Sequence, residues 1–313
     1  MLPPADTDPA IASPLLSPEE VQRQLRLHSI ARYSYCVVLW VGVTTLSLAA
    51  WVSLGLVSFL SVVADTDPGV RVVHSQKLVR HSLFSTQIQA VLPSRHCGWI
   101  YIHNEFIATD TCRAVFEIPQ GFRAHNYRHL GAASFASDER LLVPVEEPSY
   151  SHPLLFVVSV PELRLVNVVR MRDNRHAPCA ASVNGSSVLV PEFDSDSMKQ
   201  YSILGGRGSA GAQEYRLPEP LRGIQGCSVV AGRDLVVATN YHGAGRPNIV
   251  VVDLRSDTVA TSLALSPLMP FSEIEGGYAE SDPDRGGCLR ITTSHIAMGW
   301  FTVLHTISVC GLA

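Results

Sequence analysis

The chain has 313 residues, 24 of them basic and 28 acidic, for a net charge of −4. That balance gives no basic stripe for nucleic acid, so nucleic-acid binding is set aside. Only 17% of the residues are charged, and one apolar segment near the N-terminus accounts for much of that low fraction.

Residues 1–16 are rich in Pro, Ala and Asp and read as a disordered tail. Ser17-Pro18-Glu19-Glu20 then marks a helix start. Ser17 can cap, Pro18 suits the first helical position and Glu20 sits where a capping box wants it. A cytoplasmic juxtamembrane helix is expected over 17–35, leading into 29 residues without a charge, Cys36 to Ala64. About 20 apolar residues suffice to cross a bilayer core, so 36–64 is expected to be a transmembrane helix. Val62-Val63-Ala64 resembles a signal-peptide cleavage site, but the apolar core and the 35 residues before it are long for a cleaved signal. Arg23, Arg26 and Arg32 precede the segment and Asp65 and Asp67 follow it. The positive-inside rule therefore predicts a cytoplasmic N-terminus and a lumenal, periplasmic or extracellular remainder.

After a linker over 65–69, short strands with period-two patterning fill residues 70–313. Four glycine- or proline-marked strand starts recur: His129-Leu130-Gly131, Ala177-Pro178-Cys179, Gln225-Gly226-Cys227 and Glu275-Gly276-Gly277. A spacing of roughly 48 residues between short-strand groups is the signature of β-propeller blades. The expected fold class is all-β: a single five-bladed propeller behind one N-terminal transmembrane helix. The first group is the least regular, with strands expected over Gln87–Leu92, Gly98–Ala108 and Arg113–Ile118. The last group has three strands of its own, and Arg71–Val79 is predicted to supply its outer strand and close the ring. Asn184-Gly185 suits a type I′ hairpin turn in the third group.

Ile249-Val250-Val251-Val252-Asp253-Leu254 with Thr258-Val259 resembles the valine-rich strand, Asp, Leu, turn, Thr segment of YVTN-type and quinoprotein-like propeller blades. Glu275-Gly276 resembles the Glu-Gly step at strand starts of several propeller proteins. The resemblance covers about residues 70–310 and implies the fold. No YVTN tetrad or quinone-docking tryptophan motif is present, so that chemistry does not carry over.

Strand starts of propeller blades are expected to face the central channel, which places His129, His176, Gln225 and Glu275 there, with Gln87 or Gln89 as a fifth. Such a set could bind a polar ligand or a divalent metal, with Glu275, His129 and Glu146 as the metal candidates. The plain alternative is a polar ring hydrated by ordered water. Glu146, Glu147, Glu192, Asp194 and Asn240 fall at similar places in successive repeats. They could turn over the channel mouth as acid and base, or cap turns and face water. Asn184-Gly185-Ser186 is a glycosylation sequon on an expected turn.

Cys36 lies in the apolar segment, and six cysteines remain. Cys97 and Cys112 flank a strand and could join its ends. Cys179 and Cys227, equivalent in adjacent blades, could bridge or fill small buried sites. Spacing alone fixes no connectivity. The expected function is a single-pass, membrane-anchored binding or scaffold module whose channel mouth takes a protein or glycan ligand. The second reading is a membrane-anchored hydrolase with a metal in the channel, an architecture that five-bladed apyrases show can be catalytic.

Overall fold

Five antiparallel sheets, each ordered from an innermost to an outermost strand, make up the body of the chain. The computed structural model describes residues 19–20, 22–23, 26, 34–48, 50, 63–65, 70–79, 88–137, 139–204, 213–240, 248–266, 273–297 and 301–312. Two units separate, Met1–Leu54 and Gly55–Ala313.

In the first unit, residues 34–48 form a helix, α1. Its large apolar side chains are exposed all round, including Val38 (70%), Trp40 (72%) and Leu46 (73%). Among the described residues no helix is long and apolar enough to cross a membrane. The expected span over 36–64 is therefore seen as helix only up to residue 48 and at residue 50, while 49 and 51–62 lie outside the described residues. Its last two residues depart from the expectation, because Val63–Asp65 is strand β1 and pairs antiparallel with Ala264–Ser266. The expected tail over 1–16 also lies outside the described residues, as does Ser17 of the expected cap.

The second unit is a five-bladed β-propeller. Blade 1 is β3 (Ile88–Ser94), β4 (Gly98–His103), β5 (Phe106–Thr109) and β6 (Val115–Glu117). A short helix, α2 (Gln120–Arg123), leads to blade 2. There β7 (His129–Leu130) and β8 (Ser134–Ser137) share the inner position, followed by β9 (Arg140–Glu146), β10 (Leu154–Ser159) and β11 (Leu165–Arg170). Blade 3 is β12 (Ala181–Ser182), β13 (Ser187–Pro191), β14 (Ser195–Ser202) and β15 (Gln213–Leu221). Blade 4 is β16 (Ile224–Val230), β17 (Leu235–Asn240), β18 (Ile249–Asp253) and β19 (Thr258–Ser266), with β1 outside. Blade 5 is β20 (Glu273–Ser281), β21 (Leu289–Ala297) and β22 (Phe301–Cys310), closed by β2 (Arg71–Val79).

That closure is the one expected from the sequence. Strand β2 pairs with β22 from Arg71↔Cys310 to Val79↔Thr302, so the last blade is completed by a strand that precedes the first blade in sequence. The irregularity of the first group resolves as well. Gly98–Ala108 is a hairpin rather than one strand, with Ile102 paired to Ile107 across Asn104-Glu105. No glycine or proline marks that turn, and the sequence therefore hid a strand boundary.

Middle strands are buried on both faces, because each blade is covered by its neighbours. Strands β13 and β18 show this, with Ser187–Pro191 and Ile249–Val252 buried throughout. Such strands read as continuous apolar runs rather than alternations. One cluster runs through blades 1 to 4, from Leu92 and Ile100 to Val250 and Val252, and a second joins blades 4 and 5.

Inner strands approach one another closely. A Cβ on Gly226 would lie 2.3 Å from the backbone of Gly276 and Gly277, so no larger residue fits between blades 4 and 5 there. Gly276 also has φ +65, the left-handed region that glycine enters without cost.

Three disulfides fasten the ring. Cys97–Cys112 lies within blade 1, Cys288–Cys310 within blade 5, and Cys179–Cys227 joins blades 3 and 4. Both pairings considered from sequence, 97–112 and 179–227, are thus found, and Cys288–Cys310 is a third that the sequence reading did not single out. Cys36 is free and exposed.

Candidate functional site

Glu146 ends β9, where the ladder sets it opposite His129 at the start of β7. Its side chain is 3% exposed, yet it is a carboxylate, so every ionised lone pair needs a donor. Three donors converge on it. His129 Nδ1 lies 3.0 Å from Oε2, His176 Nδ1 lies 3.6 Å from Oε1, and the Ala177 amide donates to Oε1 at 2.6 Å. His129 belongs to blade 2, whereas His176 and Ala177 lead into blade 3. The carboxylate is a clasp between blades.

Both imidazoles keep about a third of their surface in solvent, 36% and 37%. With Nδ1 turned to the carboxylate, Nε2 is left on the far edge of each ring. Among the described residues neither Nε2 has a hydrogen-bond partner. The Tyr150 ring stacks on His176 with centroids 4.4 Å apart. Below His176, Glu192 accepts the amides of Arg175 and His176 at 2.9 and 2.7 Å and lies 3.5 Å from Lys199 Nζ.

Electrostatics follow from this packing. Burial opposes ionisation of Glu146, but the bonds from His129, His176 and Ala177 outweigh it and hold the carboxyl at about 2. The hydrogen bond to Glu146 pushes His176 above its ordinary value, with burial opposing. Glu147, one residue on, is drawn down to about 2 by the hydroxyls of Ser149 and Ser151.

Of the residues expected at the channel, the structure brings His129, His176 and Glu146 together and leaves the others apart. Among the described residues Glu146 has no bond to Gln225 or Glu275. Gln225 is half-buried in β16 at the irregularity after Ile224. Glu275 is buried in β20, where its carbonyl accepts the hydroxyls of Ser294 and Thr293 at 2.8 and 3.2 Å. Gln89 is buried and donates to Asn104 Oδ1 at 2.7 Å, and Gln87 lies outside the described residues. Asp194 caps the Gly223 amide at 2.9 Å, and Asn240 ends β17 opposite Ile224. Glu146, Glu192 and Asp194 thus bond the backbone of segments that lead into the next strand group, whereas Glu147 orders its own turn.

Among the described residues no group of three or more His, Cys, Asp or Glu side chains is arranged to hold a metal ion. Of the expected metal set, His129 and Glu146 are joined in blade 2, and Glu275 lies on β20 of blade 5.

Asn184 is exposed in the loop between β12 and β13, but the turn differs from the expected type I′. Only Gly185 has a positive φ, at +74. Asn184 Oδ1 instead accepts the amides and hydroxyls of Ser186 and Ser187, which widens the loop by fixing it through the side chain.

The sequence candidates were the strand starts and the acid-bearing ends of the strands beside them. At the other ends of the inner strands lies a cavity of about 450 Å³ to which all five blades contribute. Phe135 and Tyr278, aromatic residues on β8 and β20, are the signal that could have pointed to it.

No family model and no curated protein matches the sequence. Solved structures that resemble the chain include the Dos1 propeller, at 12% identity and a TM-score of 0.34, covering 71% of this chain and 54% of that one. TolB from Acinetobacter baumannii matches at 11% identity and 0.32, over 72% of this chain and 64% of its own. A putative dipeptidyl aminopeptidase IV from Bacteroides ovatus matches at 10% and 0.29, over 72% and 35%. The chain thus spans less than two thirds of each of these three proteins.

Proposed function

We propose that the protein is a single-pass, membrane-anchored β-propeller that acts as a binding module through the mouth at its inner-strand starts. The observation that carries the binding role is the pair His129 and His176, held in fixed orientation by one buried carboxylate with their outer edges in solvent. Positioned polar groups on a rigid frame are what recognition needs, and a ring of blades supplies the frame. The ligand of this mouth is a protein or glycan surface that offers hydrogen-bonding groups to the two Nε2 atoms.

Membrane anchoring is supported by the 29 uncharged residues from Cys36 to Ala64 and by the exposed apolar surface of α1. A helix apolar on every side has no solvent face. The Thr44 and Thr45 hydroxyls return to the carbonyls of Trp40 and Val41, at 2.8 and 2.7 Å, so they present no unpaired donor to lipid. The flanking charges and the three disulfides support a cytoplasmic N-terminus with the propeller in a lumenal, periplasmic or extracellular space.

The test uses the full chain expressed in cells. It should stay with the membrane pellet through alkaline extraction, and its propeller should resist protease until the enclosing membrane is opened. Release by alkali would sink the anchor. A photo-crosslinker at exposed Arg175 should capture a ligand that is lost when both His129 and His176 become alanine. Capture unchanged in that double variant would remove the mouth from the binding role.

A further inference from the structure

The cavity at the inner-strand ends lies at the opposite end of the strands from the histidine pair. Its walls are Phe135 and Tyr278, whose rings meet edge to face at 84° with centroids 6.0 Å apart. Its floor is hydroxyl-rich. Ser134 and Ser228 are buried there, Ser134 Oγ accepting the Ser182 amide at 3.2 Å and Ser228 Oγ donating to the Ala279 carbonyl at 3.3 Å. Each hydroxyl therefore retains capacity for at least one more bond.

The two charges in the lining, Glu280 and Arg95, are already compensated. Glu280 Oε1 lies 3.9 Å from Arg290 Nη1, and Arg95 acts on the same carboxylate. Arg290 in turn bonds Asp282 at 2.9 Å and Asp284. An entering cation would meet the Arg95 guanidinium, and an entering anion would meet Glu280. Burial raises the Glu280 carboxyl from its ordinary value, which marks it as partly dehydrated and ready to accept hydroxyl donors.

We propose that this cavity binds a neutral carbohydrate, one sugar ring set against the Phe135–Tyr278 wall with its hydroxyls on the serines and Glu280. A sugar joins an apolar ring face to a rim of hydroxyls, and the cavity offers the complement of both. At about 450 Å³ it admits one or two rings. Exposed Asn184, the sequon asparagine, stands on its rim with its Oδ1 held by Ser186 and Ser187 and its Nδ2 left outward. The sugar comes either from a glycan on Asn184 or from another molecule, and the chemistry of the pocket is the same for both.

The full chain, made in a host that does not N-glycosylate and held in a sugar-free detergent, is titrated with methyl glycosides of hexoses and N-acetylhexosamines. Binding is read by saturation-transfer NMR, with tetramethylammonium and glucuronate as charged controls. At least one neutral glycoside binds. Tyr278→Ala weakens it by about tenfold or more. Ser281→Trp, at an exposed rim position that leaves the core intact, abolishes it, and Val166→Ser, on the exposed face of the outer strand β11, leaves it unchanged. A second arm uses chain from a glycosylating host. Glycoside binding that appears only after enzymatic removal of the Asn184 glycan assigns the site to the chain's own sugar, and binding regardless assigns it to another molecule's. Failure of every neutral glycoside, binding indifferent to both cavity variants, or binding of charged probes alone overturns the proposal.

Discussion

The Ala177 amide donates to Glu146 Oε1 at 2.6 Å across the boundary between blades 2 and 3. A buried carboxylate that accepts a neighbour's backbone ties the junction to its own ionisation. The same carboxylate orients both exposed histidines, so blade docking and the shape of the mouth are one structural unit.

That linkage sets a pH dependence. The folded value of Glu146, about 2, is depressed from 4.5, so its contribution is complete above about pH 4.5 and lost as pH falls toward 2. Integrated, the shift amounts to on the order of 3 kcal/mol. His176 is raised above 6.5, so its contribution is complete below that value and fades as pH rises through the folded one. Thermal melts should show a maximum between roughly pH 4.5 and 6.5. Glu146→Gln keeps an acceptor for Ala177 and removes the charge, and it should flatten both flanks. A variant with the unaltered profile would disconnect the junction from this titration.

Gly226→Ala tests the close approach of blades 4 and 5. The new Cβ would sit 2.3 Å from the backbone of Gly276 and Gly277, where no flexible side chain can yield. The cost should reach about 3 kcal/mol or more, read as a lowered melting temperature and faster proteolysis. Gly286→Ala has open space and no positive φ, and it should fall within about 0.5 kcal/mol of the parent. Equal effects from the two would show that the inner strands are not packed at the backbone.

The blade count and the closing strand were legible because both rest on local signals. Glycines recur at the strand starts, and Arg71–Val79 is a strand-like segment without a group of its own. Blade 1 was less legible, since the β4–β5 turn at Asn104-Glu105 carries no glycine or proline. The site was half legible. The repeat aligned His129 with Glu275 and Gln225, but a repeat gives the height along the channel and not the neighbour across a blade junction. Glu146 meets His176 because Ala177 docks there, a contact set by three-dimensional packing. The cavity at the strand ends left only a weak sequence signal, for a similar reason. Phe135 and Tyr278 stand at different offsets from their strand starts, and only the ring brings them together.

The Cys179–Cys227 disulfide should matter more to the propeller than Cys97–Cys112. It closes a 48-residue loop between two blades, the other a 15-residue loop within one. Chain-entropy arguments give about 4 and about 3 kcal/mol respectively. Paired Cys→Ala variants, compared by denaturant unfolding, should rank in that order. The difference should also appear as protease cleavage between blades 3 and 4 in the 179/227 variant alone. The reverse ranking would place the weak junction elsewhere in the ring.

Ring closure by β2 carries the remaining prediction. Without it β22 would present an unpaired edge of ten residues, Phe301–Cys310, a template for pairing with other chains. Adjacent residues in a ladder alternate in bonding, so Val72→Pro with Val73→Pro removes at least one amide that β2 gives to β22. The double variant should open the last blade, aggregate at concentrations where the parent is monodisperse, and melt several degrees lower. Val166→Pro is the control. It is 56% exposed on β11, an edge strand, at an irregularity where β10 offers it no register partner. Proline there should leave aggregation unchanged. A β2 double variant that stays monodisperse would mean that the ring is held by blade packing and the disulfides alone, with β2 a passenger on its edge.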